Sequence, residues 1–321
     1  MNIKKIGLTA LAASLVSVSA HAGAISVAGG ASINSEGHSG EQLNAGTTFS
    51  MSNQLTFTGS GELDNGLNVA LSMVIDQNDD STKTTAAQLD NAPFDSHSVT
   101  ISSDSLGTLV FSGEGGSSAQ SSIDTTAAGD LWDNGSGFTS PMSAEAGNNS
   151  LFYTLPAVVD DVTVNASYSP GGAGGASATS FGAGYSGVEG LSLNYAVGDT
   201  ETVGSKSEHT TLKASYAISS FTVSYSDTET DVESTSTTKD EDITSWQIAY
   251  TVSDDLSVSY GTEVIDTEGQ TVDEESAGFN VSYTTGGVTL SATQYNFEGS
   301  GNTAGTAGEK ERWALSATFA F

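Results

Sequence analysis

Five carboxylates, Glu114, Asp124, Asp130, Asp133 and Glu145, fall within one glycine- and serine-rich stretch of about 35 residues, from Gly113 to Gly147. Catalysis is not what such a set suggests. The chain has no cysteine, which removes thiol chemistry and cysteine-ligated metals. Beyond the first 22 residues its histidines, His38, His97 and His209, stand far apart and form neither a triad nor a zinc motif. Paired carboxylates about 5–9 Å apart serve glycosidases. With 39 acidic residues in 321, however, pairs arise anywhere, and no catalytic residue is assigned. What fixed carboxylates do without a partner is attract cations. A ring of acids around a narrow pore makes it prefer cations; solvated acids on an exposed loop are the plainer alternative.

Two further acidic runs, Asp240-Glu241-Asp242 and Asp273-Glu274-Glu275, sit at loop-to-strand junctions. Hard oxygen ligands suit Ca²⁺ or Mg²⁺, but neither run has the spacing of a defined calcium loop. They read as solvated acids, with loose binding of Ca²⁺ or Mg²⁺ the most they offer; no metal site and no cofactor are assigned. The formal charge is −31, and it becomes −33 once Lys4 and Lys5 leave with the leader. Such a surface repels nucleic acid and excludes it as a partner. Acidic loops that merely keep an exposed face solvated explain the charge as well as a role in selectivity does.

The elements that must position these acids are strands. Residues 1–22 form a secretory signal: Lys4 and Lys5 at the basic end, an apolar core from Ile6 to Val18, and Ala20-His21-Ala22 as the cleavage site. The barrel described next takes 23–321. No later apolar run is long enough for a membrane helix. Barrel strands of about 10 alternating residues leave no such run, because alternation averages out.

Alternation with period 2 recurs throughout the second half. Phe181 to Tyr185 leads through a short turn to Leu191 and Tyr195, Leu212 to Tyr216 leads to Phe221 and Tyr225, and Trp246 to Tyr250 leads to Leu256 and Tyr260. Each unit is a hairpin with its apolar residues and tyrosines on one face and Ser, Thr, Asn, Gln or Lys on the other. The apolar face persists in every hairpin, and the chain offers no helix layer to cover it. A closed barrel in lipid resolves this, with the apolar side outward and the polar side toward a wet lumen. Asp64-Asn65-Gly66 marks a tight turn in the first half.

One opening strand, seven hairpins and one closing strand make sixteen. The even count suits a bacterial barrel with both ends and the tight turns in the periplasm and the longer connections outside. Tyr153, Tyr185, Tyr216, Tyr250 and Tyr283, each just before a tight turn, are expected in the periplasmic aromatic girdle. The closing strand alternates Trp313, Leu315, Ala317 and Phe319 and ends on Phe321. The 113–147 stretch exceeds the usual loop length, and a barrel of this size has room to fold it inward.

The chain resembles the Gram-negative general porins, trimeric outer-membrane diffusion pores of 16 strands, over nearly all of 23–321. The resemblance is carried by Leu106-Gly107-Thr108-Leu109 entering the fifth strand, the long third loop, Asn149-Ser150-Leu151-Phe152-Tyr153-Thr154-Leu155-Pro156 leaving it, and the terminal Phe321. It implies that the third loop folds in and narrows the barrel, that Phe321 serves as the assembly signal, and that the protein forms a homotrimer among outer-membrane lipid and lipopolysaccharide. In that family the loop presents carboxylates, and the facing wall presents arginines and lysines.

This chain keeps the loop acids and nearly lacks the basic wall. Phe152 stands at a lumen-facing position where the resemblance makes a basic residue unsurprising, and the wall candidates are Lys213 and Arg312, the latter the sole arginine. Alternation turns both inward, where either selectivity or pairing with nearby acids is open to them. The expected function is a non-enzymatic channel for small hydrophilic solutes and cations. A substrate-selective channel, for example for sugars past inward-pointing Phe152 and Tyr295, remains open, as does a secreted acidic all-β adhesin that binds calcium.

Overall fold

The computed structural model describes residues 25–40, 46–76, 94–144, 148–171, 175–234 and 239–321. The leader at 1–22 and Glu145 lie outside the described residues. Sixteen antiparallel strands close into one barrel. They are β1 (Ser26–Gly40), β2 (Gly46–Glu62), β3 (Asn68–Asp76), β4 (Ser96–Ser103), β5 (Gly107–Glu114), β6 (Ser150–Thr154), β7 (Val162–Ser169) and β8 (Ser177–Tyr185). The second half comprises β9 (Leu191–Thr202), β10 (Ser205–Ile218), β11 (Phe221–Ser234), β12 (Glu241–Ser253), β13 (Leu256–Thr267), β14 (Glu274–Thr285), β15 (Val288–Glu298) and β16 (Lys310–Ala320). Every strand pairs with its neighbours in sequence, and β16 returns to β1.

Burial is inverted relative to a water-soluble fold. Phe49, Phe181 and Leu315 are 79%, 58% and 52% exposed, whereas Thr211 and Glu263 are 0% and 1% exposed. Period 2 explains this: odd residues of β1 and β2, such as Ile33 and Phe49, face out, and Ser32 and Ser52 face in, their hydroxyls 2.6 Å apart. Among the described residues no helix is long and apolar enough to cross a membrane; the strands cross it, their backbone groups satisfied by the closed ladder.

The closing seam depends on a glycine. Gly29 N–H donates to the Phe321 carbonyl at 2.7 Å, and Phe321 N–H donates back at 2.9 Å. The Phe321 ring lies over Gly29, where an added Cβ would come within 2.6 Å of it.

Seven short turns fall at the end that holds Ile25 and Phe321. Tyr185, Tyr216, Tyr250 and Tyr283 are outward and exposed at this end. Tyr153 is half-buried, its hydroxyl donating to the Leu106 carbonyl at 2.6 Å. A second row of outward aromatics, including Tyr195, Tyr225, Trp246 and Tyr260, runs nearer the other end.

Two expectations need correction. The connections at the far end are not all long: β9 and β10 are joined by Val203 and Gly204 alone, with Gly204 at φ +87°. The wall itself rises there, β10 and β11 having 14 residues each, beyond the roughly 10 that span a bilayer. Much of the acid also sits on this raised wall and not in loops. Glu229 stands directly opposite Asp242, and Asp242 opposite Asp266, on the outward register of Tyr225, Trp246 and Tyr260.

Candidate functional site

The described part of the third loop, residues 115–144, folds into the barrel and lies along its inner wall. Hydrogen bonds fix it strand by strand. Ala119 N–H donates to Ser167 Oγ on β7 at 2.8 Å, and Gln120 Nε2 to Thr211 Oγ1 on β10 at 2.9 Å. Ala127 N–H donates to Ser226 Oγ on β11 at 2.7 Å, and Ala128 N–H to Ser245 Oγ on β12 at 3.0 Å. Small residues on the wall permit the approach: a Cβ on Gly261 would lie 2.8 Å from that of Ala128.

Buried carboxylates from three adjacent strands complete the seat. Glu263 on β13 accepts from Thr126 Oγ1 at 2.5 Å, Trp132 N–H at 2.9 Å and Leu131 N–H at 3.3 Å. Glu241 on β12 accepts from Met142 N–H at 3.0 Å, and Glu274 on β14 from Thr139 N–H at 2.9 Å. A carboxylate taken from water without such donors costs several kcal/mol, so each acid favours the docked loop over a detached one.

Sequence reading missed these three. Glu241 and Glu274 belong to the runs read as solvated acids, yet they are 4% and 1% exposed. The signal was present: with Trp246 outward, alternation sends Asp242 outward and Glu241 inward, and with Tyr260 outward it sends Glu263 inward.

Of the expected loop acids, Asp124 and Asp130 come together near Lys213. Burial raises the Asp124 carboxyl to about 6, and the Asp130 charge adds to the rise while Lys213 opposes it. Lys213 Nζ donates to the Thr125 carbonyl at 2.5 Å. Asp130 adopts φ +53° and closes its own turn, its carboxylate accepting from Thr126 N–H at 2.9 Å. Asp133 is exposed in the 3₁₀ turn Leu131–Asn134. Glu114 ends β5 with His97 Nδ1 4.0 Å away, apart from the Asp124 group.

Arg312 points inward but is occupied. Its Nε and Nη2 donate to Glu36 Oε2 on β1 at 3.0 and 2.5 Å, and its Nη1 contacts Asn134 Oδ1 at the loop tip. It also lies 5.5 Å over the Tyr295 ring. Tyr295 stacks on Phe297, which meets Phe138 of the loop with centroids 5.3 Å apart. Phe152 is half-buried on the inward register between Val110 and Ser167. Among the inward groups of β1 and β2, Asn34 Nδ2 donates to Ser32 Oγ at 3.1 Å, and the Ser26 and Thr58 hydroxyls lie 2.6 Å apart.

An apolar exterior, a polar interior and a loop seated inside a closed sixteen-stranded barrel define an outer-membrane channel. The chain belongs to the Gram-negative porin family, whose model matches residues 7–267. Solved structures agree in fold. A loop L8 deletion mutant of Vibrio cholerae OmpT is 13% identical with a TM-score of 0.73, over 93% of this chain and 99% of that one. The trimer form of in-vitro folded Vibrio cholerae OmpT is 13% identical with a TM-score of 0.69, over 94% and 100%. An anion-selective porin from Comamonas acidovorans is 15% identical with a TM-score of 0.65, over 93% and 99%. No curated protein matches the chain in sequence.

Proposed function

We propose that this outer-membrane channel passes small hydrophilic solutes and ions passively, and that it prefers cations. The observation that carries the preference is the asymmetry of charge at the narrowing. Asp124, Asp130 and Asp133 lie on the loop, whereas the inward Arg312 is bonded to Glu36 and Lys213 donates to a loop carbonyl. Fixed carboxylates in a wet, low-dielectric-walled passage raise the local cation concentration. The anion-selective porin from Comamonas acidovorans has the same fold, so the preference is set by the residues of this chain and not by the barrel.

The protein supplies no covalent step in this reading. It provides an aperture, a size limit and a field. Glu114, where β5 runs into the loop, shares in the constriction, and Phe152 belongs to the lumen wall. Phe321 acts as the assembly signal, and residues 1–22 as the cleaved export signal. A homotrimer in lipid and lipopolysaccharide is the working form, in keeping with the trimer form of the Vibrio cholerae relative. The apolar exterior disfavours the adhesin reading. Tyr295, engaged by Arg312 and Phe297, is poorly placed as a sugar slide.

Osmotic swelling of proteoliposomes tests this. Uncharged sugars of increasing size should enter at rates that fall smoothly with size, and anionic sugars of equal size more slowly. One sugar entering out of size order would favour the substrate-selective alternative.

A further inference from the structure

The connection between β15 and β16, residues 299–309, does not stand apart from the third loop. Glu274 joins them: one carboxylate oxygen accepts from Thr139 N–H of the third loop at 2.9 Å, and the other accepts from Gly301 N–H at 2.7 Å. Ser300, 5% exposed, donates from Oγ to the Ser136 carbonyl at 2.9 Å. Lys310 Nζ reaches that same carbonyl and donates to Ser300 Oγ at 2.5 Å. Beneath them Phe297, the last inward residue of β15, packs on Phe138 of the third loop. All these contacts fall on the outer arm, residues 136–139, next to the loop tip at Asn134.

The chemistry is that of a clasp. The Ser136 carbonyl takes two donors from the β15–β16 side, and one buried carboxylate takes one donor from each loop. Loss of either loop leaves Glu274 with an unsatisfied oxygen, a costly state for a buried acid. The two loops therefore stabilise each other's position. The far side of residues 299–309 is open: Ala304, Gly305, Thr306 and Ala307 are exposed. We propose that residues 299–309 are a second working part of the narrowing, a brace that holds the third loop, so that events at the exposed turn 304–307 reach the pore through Glu274, Ser300 and Lys310. The proposal rests on the channel reading given above.

Single-channel recording in planar bilayers tests it, with barrel folding checked first by the shift in gel migration on boiling. Lys310→Met combined with Ser300→Ala should raise the frequency of brief closures at least threefold. Replacing residues 301–307 by two glycines should do the same. If the shortened chain does not fold, the double variant carries the test. The native chain has no cysteine, so Thr306→Cys gives a single external handle. Attaching a bulky maleimide there should alter closure frequency at least twofold, and the Lys310→Met, Ser300→Ala background should abolish that response. Closures unchanged in the double variant, or a maleimide response that persists in its background, would overturn the brace. Absence of discrete conductance in the unaltered protein would instead overturn the channel reading.

Discussion

Glu263 on β13 and Trp132 on the third loop are joined by a 2.9 Å hydrogen bond from the Trp132 backbone N–H to Glu263 Oε1. The other oxygen of the same carboxylate takes the Thr126 hydroxyl, and that hydroxyl in turn accepts from Asp130 N–H at 2.8 Å. A single buried acid on the barrel wall thus sets the turn that carries Asp130. Glu263→Gln keeps one acceptor, and whichever way the amide turns its N–H₂ faces a backbone N–H, that of Trp132 or of Leu131, which can only donate. The loop should loosen by about 1–3 kcal/mol, the cost of an unmade buried hydrogen bond. Open-channel current noise should rise while the barrel's thermal unfolding in detergent barely moves. Noise equal to that of the native protein would show that Glu263 does not hold the loop.

Lipid and lumen faces should respond oppositely to charge. Leu193 is outward and 37% exposed, and its neighbour Ser192 is inward. Leu193→Arg should lower barrel stability by about 2–4 kcal/mol if it lies near the midplane, and Ser192→Arg should assemble at near-native yield. Urea titration of the folded fraction in lipid vesicles reads both, and equal effects would refute the register of β9.

The terminal strand should matter for closure. Phe321 contributes two backbone hydrogen bonds to Gly29 and covers it with its ring. Deleting Phe321 should lower the outer-membrane yield in cells while leaving detergent refolding largely intact. Gly29→Val, which would drive a side chain into the Phe321 ring, should slow refolding as well. Surface levels equal to native for both variants would argue against the seam.

The sixteen strands, the hairpins and the side of the tight turns follow from period-2 alternation punctuated by turn residues, and the structure has them. The height of the wall from β9 to β13 was harder to read, because above the apolar band the outward positions become Thr, Asp and Glu, as at Thr210 and Glu229, and alternation no longer separates the faces. That the long loop folds inward was expected from its length and from family resemblance. Where it lies along the wall was not, since its contacts use Ser167, Ser226 and Ser245, indistinguishable in sequence from any hydroxyl lining a lumen. Arg312 shows the same limit: alternation turned it inward, but only the fold brings Glu36, 276 residues away in the chain, against it.

Acidification should weaken cation preference near the Asp124 value. Its carboxyl in the folded protein titrates at about 6, above its ordinary value of 3.8. The charge is therefore present well above 6 and lost as pH falls through it. The linkage to stability has the matching sign: the folded state binds the proton more tightly, so this group's stabilising contribution is fully present below the ordinary value and is lost as pH rises through 6. Measured K⁺ over Cl⁻ permeability should fall between about pH 7.5 and about pH 5, and Asp124→Asn should remove that step. A step that persists in the variant would assign it to another group.

The most direct test of the whole account is the zero-current potential of the reconstituted channel in a KCl gradient. The loop carboxylates predict K⁺ preference, strongest in dilute salt, and weaker as the Debye length shrinks from about 10 Å at 0.1 M to about 3 Å at 1 M. Neutralising Asp124 and Asp133 should reduce it more than neutralising Asp231 and Asp266 on the raised outer wall. A Cl⁻ preference, or a larger effect from the outer pair, would contradict a selectivity set by the inward-folded loop.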